Sequence, residues 1–325
     1  MSQRIFITGT AGFIGFHLAK RLLDLRYDVF GIDNFNDSYS VQLKYDRHVQ
    51  LERYEKYRWQ KCDLCDGELL QSLFTAFQPD YVVNLAAQVG VRSSVNNPSV
   101  YQKSNIEGFL NVLECCRNLE PSPRLIYASS SSVYGKNKEL PFIERQPTDE
   151  PVSLYAVTKK ANELMAHSYS HLFGFQTIGL RFFTVYGPWG RPDMAYWLFA
   201  ESLLQGKPID VFNYGEMSRD FTYIDDVISG IVGCVTSSSL AQCDIFNIGN
   251  NRAEKLLDVI RLIADEFSIS NLAMNFLPMQ EGDMLATCAN IDKLQSVANY
   301  QATTPISLGI PRFIEWFKQY RGING

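Results

Sequence analysis

Short apolar runs, many of them β-branched, alternate with helix-length amphipathic stretches through the first half of the chain. Ile5–Thr8, Val29–Asp33, Tyr81–Leu85, Leu125–Ser129 and Thr177–Arg181 read as strands, and Phe13–Leu25, Leu69–Phe77, Val100–Arg117 and Leu154–Phe173 as helices. That rhythm predicts an α/β fold, a doubly wound parallel sheet with helices on both faces. Unbroken apolar strands suit a sheet buried on both sides. Asp37–Arg58 is charged and tyrosine-rich and reads as a helical insertion between the second and third strands. From about Thr184 the rhythm breaks at the loop Gly187-Pro188-Trp189-Gly190-Arg191-Pro192. Beyond it, strand-like Ile209–Phe212 and Ile245–Ile248 alternate with helices near Asp225–Thr236 and Lys255–Phe267. The expected organisation is a main domain of residues 1–183 plus about 225–249. A smaller mixed lobe of about 184–224 plus 250–325 would cover it.

The 325 residues carry a net charge of −5, with 46% apolar and 20% charged residues. No bulk positive field exists to attract nucleic acid or an anionic membrane, although a pocket needs only a few local arginines to hold a small anion. The N-terminus runs straight into a strand pattern, and no stretch approaches a membrane span, so the chain reads as cytoplasmic. Seven cysteines, at 62, 65, 115, 116, 234, 243 and 288, do not suggest a disulfide framework in such a chain. Cys62-x-x-Cys65 lacks a second pair to complete a zinc site, and His167 and His171 lack a third ligand, so no metal is expected.

The first strand leads into Gly9-Thr10-Ala11-Gly12-Phe13-Ile14-Gly15, which opens a helix. Glycines there let the backbone approach a pyrophosphate, and the helix N-terminus supplies amide donors. Asp33 ends the second strand at close to the separation of about 20 residues expected for a ribose-binding carboxylate. Such a carboxylate repels a 2′-phosphate, and Gly31-Ile32-Asp33-Asn34 has no arginine beside it, which favours NAD over NADP. Asp63-Leu64 is placed to meet the adenine, and Leu85, Ala86, Ala87 and Gln88 would line the cofactor with mainly small residues.

Tyr155 and Lys159 stand at i and i+4 on one helical face, downstream of Ser129-Ser130-Ser131-Ser132 at a strand end. A free tyrosine titrates near 10, too high for an efficient base at neutral pH. A nearby ammonium and a positive nicotinamide would lower it, and Ser130 could relay a sugar hydroxyl proton to Tyr155.

Together these motifs resemble the extended short-chain dehydrogenase/reductases, specifically nucleotide-sugar epimerases, over essentially the whole chain. Arg181–Ala195 resembles the signature stretch of UDP-glucuronate 4-epimerases. The resemblance implies a Rossmann-type sheet with a UDP-sugar-binding lobe. It also implies NAD bound as a recycled cofactor, with Asn105 among its contacts, and oxidation at sugar C4 followed by rotation and hydride return. It further implies a homodimer through a four-helix bundle of Val100–Arg117 and Leu154–Phe173. Ser131 and Ser132 stand where related dehydratases and decarboxylases carry an added acid. With Thr184 they would hold a uronate carboxylate by neutral hydrogen bonds, without a close cation. Arg191, Arg219 and Asp283 match positions expected to contact UDP, with Phe212 at the uracil and Arg92 near the cofactor wall. Glu281 stands where the family more often has Pro. Rival readings are a UDP-glucose/UDP-galactose epimerase, a net oxidoreductase and a catalytically silent NAD-binding sensor.

Overall fold

A computed structural model describes residues 3–280 and 282–323. Its centre is a seven-stranded, all-parallel sheet. In chain order it begins with β1 (Arg4–Thr8), β2 (Asp28–Asp33), β3 (Tyr57–Lys61), β4 (Tyr81–Asn84), β5 (Arg124–Ser130) and β6 (Thr177–Phe182). Strand Cys243–Ile248 joins the sheet beside β6, so the order across it is 243–248, β6, β5, β4, β1, β2, β3. The order reverses between β1 and β4, and a crevice opens there beyond the carboxyl ends of the strands.

Alternation along β1 divides the core. Ile5 and Ile7 pack on one face with helices Phe13–Asp24 and Ile224–Thr236. Phe6 packs on the other with Leu70, Phe74, Phe109 and Val112. β3 is the edge strand, and four of its five residues (Arg58, Trp59, Gln60 and Lys61) are exposed. Its polar sequence follows from having one open side.

Helix Leu154–Phe173 has the predicted limits. Ser153 caps it by accepting from the Ala156 N–H at 3.2 Å, and Gly174 ends it in the left-handed conformation. The stretch read as one helix over Val100–Arg117 is a composite. It starts at Pro98–Tyr101, passes through a π-helical segment at Gln102–Glu107 and continues as Gly108–Arg117. Beyond the sheet, Thr184–Tyr186 pairs with Phe221–Tyr223, and Ile209–Phe212 pairs with Met274–Leu277. Helices Ala195–Leu204 and Ile306–Tyr320, which the periodicity did not reveal, pack in this region through Trp197 and Phe313.

Candidate active site

A cavity of about 840 Å³ lies at the carboxyl ends of the strands. Of the predicted residues, Gly9, Gly12, Phe13, Ile14, Gly15, Asp33, Asn34, Asp63, Leu64, Leu85, Ala86 and Ala87 line it. Gly9 has φ +79°, and a Cβ there would fall 2.9 Å from Ala86 N; a Cβ on Gly15 would fall 2.0 Å from Gly9 O. The loop therefore needs bare backbone at both positions. Asp33 buttresses it, because Oδ2 accepts from the Ala11 N–H at 3.0 Å while Oδ1 accepts from the Phe35 N–H at 2.8 Å. The Asn34 amide donates to Asp63 at 2.8 Å, tying the ends of β2 and β3 together.

Gln88 and Asn105 do not line this wall. Asn105 is buried in the π-helical segment, where Oδ1 accepts from the Gln88 N–H and Nδ2 donates to Gln88 O and Thr158 Oγ1. Asn105 spends its polar atoms fixing the loop after β4 and the helix that carries Tyr155.

Tyr155, Lys159, Ser130, Ser131, Ser132 and Thr184 meet in the same cavity. Ser132 Oγ donates to Ser130 Oγ at 2.9 Å, and Ser130 lines the cavity with Tyr155, near enough to act on the phenol. Burial pushes that phenol above its ordinary value, against the pull of Ser130 and of the Arg191 charge. The Lys159 ammonium donates to Ala128 O at 2.8 Å, and burial depresses its pKa to about 8.

At the other end, Arg92 Nη2 pairs with Asp283 at 3.1 Å, and its guanidinium lies 5.1 Å from the centre of the Phe212 ring. Arg219 donates to the Ser218 and Leu285 carbonyls, and its charge interacts with both Asp283 and Arg92. Arg191 lines the same cavity, paired with Asp193, and its charge interacts with the Tyr155 and Tyr39 phenols. Glu281 lies outside the described residues.

A family model described as "NAD dependent epimerase/dehydratase family" matches residues 5–249. This chain belongs to the NAD dependent epimerase/dehydratase family. It is 45% identical to protein CapI of Staphylococcus aureus, over 98% of this chain and 99% of that protein. It is 42% identical to UDP-glucuronate 4-epimerase 4 of Arabidopsis thaliana, over 97% of this chain and 75% of that one. The crystal structure of UDP-glucuronic acid 4-epimerase from Bacillus cereus, in complex with UDP-glucuronic acid and NAD, superposes with a TM-score of 0.92. That pair is 33% identical, with 98% of this chain and 100% of that chain covered.

The residues present fit this family's cofactor: the bare glycine cradle suits a pyrophosphate, and Asp33 suits an unphosphorylated ribose. No described helix is long and apolar enough to cross a membrane. Motif reading missed three residues of the insertion helix Val41–Leu51 and its approach. Tyr39 and Lys44 line the cavity, and Arg47 is fully buried behind them. Their signal was a cationic residue at apolar spacing, since Leu43, Lys44, Arg47, His48 and Leu51 share the buried face.

Proposed function

We propose that this family member is a UDP-glucuronate 4-epimerase, interconverting UDP-glucuronate and UDP-galacturonate. The observation that carries the reading is the gathering of Ser130, Ser131, Ser132, Tyr155 and Lys159, with Ser132 bonded to Ser130, in the cavity that also holds the glycine cradle. Ser130 and Tyr155 receive the C4 hydroxyl proton of the sugar and later return it. Lys159, anchored on Ala128 O, places a cation beneath the cofactor end of the site. When bound, NAD accepts the C4 hydride and gives it back, so the chain needs no second redox partner. Ser131, Ser132 and Thr184 hold the C5 carboxylate, and Arg191, in the same cavity, reaches the UDP diphosphate. Arg219, Arg92, Asp283 and Phe212 hold the UDP end, where a guanidinium suits a diphosphate and an aromatic ring suits uracil.

Direct cofactor contacts are assigned to Gly9, Gly12, Phe13, Ile14, Gly15, Asp33, Asn34, Asp63, Leu64, Leu85, Ala86, Ala87, Tyr155 and Lys159. Residues 1–183 and about 225–249 form the NAD-binding part, and the remainder forms the UDP-sugar lobe. The working unit is a homodimer in the cytoplasm. Exposed Val100, Leu110, Val157, Leu164, Leu172 and Phe173 on the two long helices supply its apolar face, and the seven cysteines are free.

The test is NMR of the product formed from UDP-glucuronate and, separately, from UDP-glucose. Inversion at C4 of the uronate with the carboxylate retained supports the proposal. Turnover of UDP-glucose alone, or NADH accumulating in step with product, overturns it.

A further inference from the structure

The loop that carries Arg191 is held from behind by one side chain the reaction does not itself require. Arg47, on helix Val41–Leu51, is 0% exposed. Nε and Nη2 both donate to Trp189 O, at 3.1 and 2.7 Å, and Nη2 also donates to Gly190 O at 2.9 Å. Nη1 donates to Ala11 O at 2.9 Å and to the Tyr39 hydroxyl at 2.8 Å. Every N–H of the guanidinium fork thus has an acceptor. Three of the acceptors are main-chain carbonyls and none is a carboxylate. His17 holds the preceding carbonyl, Pro188 O, at 2.9 Å, and burial depresses its pKa to about 3, so the ring is a neutral donor. Three consecutive carbonyls of the 188–190 turn are therefore captured from the sheet side.

The two ends of this clamp belong to different ligands. Ala11 lies in the glycine loop, where its N–H also bonds Asp33, whereas Gly190 directly precedes Arg191. Trp189 adopts φ +60°, a conformation unfavourable for a bulky residue. A lysine could supply the charge at this place but not the planar fork that reaches both loops. A buried cation with only neutral acceptors also calls for negative charge nearby, and a pyrophosphate at the glycine loop supplies it.

We propose that Arg47 is a positioning residue that sets the spacing between the cofactor loop and Arg191. It would thereby couple dinucleotide binding to nucleotide-sugar binding. This rests on the epimerase reading above for the identity of the second ligand.

The test compares Arg47→Lys and Arg47→Met with the wild-type holoenzyme. It measures KM and kcat for UDP-glucuronate, Kd for UDP by calorimetry, Kd for NAD, and thermal stability without ligands. Losing the fork should raise both KM and the NAD Kd by about ten- to a hundred-fold while kcat changes far less. Arg47→Lys should restore stability relative to Arg47→Met without restoring either affinity. Affinities within about two-fold of wild type, with only stability altered, would overturn the proposal. If neither variant folds, Tyr39→Phe removes a single acceptor and should weaken both ligands by about two- to five-fold. Unchanged affinities in that variant overturn the proposal equally. Should wild type not turn over UDP-glucuronate, the epimerase reading fails, and the UDP and NAD affinities still decide the role of Arg47.

Discussion

Replacing Glu163 with Gln should destabilise the protein more than any surface change on the same helix. Glu163 lies on Leu154–Phe173, one turn after Lys159, and accepts from Arg181 Nε at 2.8 Å and Nη2 at 2.9 Å. The two side chains are 2% and 3% exposed, so neither charge has water to fall back on. Burial alone would lower the Arg181 pKa, and the paired carboxylate more than offsets it. Unit charges about 4 Å apart attract by about 4 kcal/mol at an effective dielectric constant of about 20. Stranding one partner of a buried pair costs about 3–5 kcal/mol in measured cases. Both routes give the same expectation, a loss of about 3–5 kcal/mol for Glu163→Gln. Urea unfolding reads it as a shift in midpoint at constant slope. Removing both charges, as Glu163→Leu with Arg181→Met, should recover most of the loss, because the desolvation cost of both ions disappears. A cost below about 1 kcal/mol for the single variant would refute the reasoning, since that is the range of an exposed pair.

Other perturbations probe the site itself. Tyr155→Phe should lower kcat by about 10²- to 10⁴-fold with NAD affinity retained, checked by steady-state rates and cofactor titration. Gly15→Ala should weaken NAD binding sharply in a fluorescence titration, because the added Cβ would sit 2.0 Å from Gly9 O. Alanine at Ser131, Ser132 or Thr184 should either release CO2 from UDP-glucuronate, measured by trapping, or raise its KM; neither change would displace the carboxylate from that pocket. Lys159 has a folded pKa of about 8, below its unfolded value. The unfolded chain therefore binds more protons between about pH 8 and 10.5, and ligand-free stability contributed at this site rises with pH across that window. Lys159→Met should remove that rise, measured by denaturation at pH 8 and pH 10.

Strands β1, β2, β4, β5 and β6 were legible because the interior of the sheet demands unbroken apolar runs. β3 could be placed only by its neighbours, between the insertion and Asp63, because the edge sequence Tyr-Arg-Trp-Gln-Lys has no apolar run of its own. The glycine loop, Asp33 and the Tyr155–Lys159 pair could be read from local spacing, since each function is set within one turn of chain. The support of the Arg191 loop could not. It depends on a turn whose carbonyls are held by Arg47 and His17, residues far away in sequence. The direction of the Lys159 ammonium was equally hidden, because its acceptor, Ala128 O, belongs to β5. The π-helical segment that carries Asn105 was hidden too, because its sequence reads as ordinary helix.

If Asp33 holds the ribose as proposed, it does two jobs with one carboxylate, and that limits how cofactor preference can be altered. A redesign toward a 2′-phosphorylated dinucleotide would begin by replacing this acid with a small neutral residue and adding a cation nearby. Here the same replacement deletes the acceptor for the Ala11 amide. The change would relax the pyrophosphate cradle while trying to enlarge the ribose pocket. A successful switch in this scaffold calls for Asn or Ser at position 33, keeping an oxygen toward Ala11, together with a new cation supplied from the 34–38 turn.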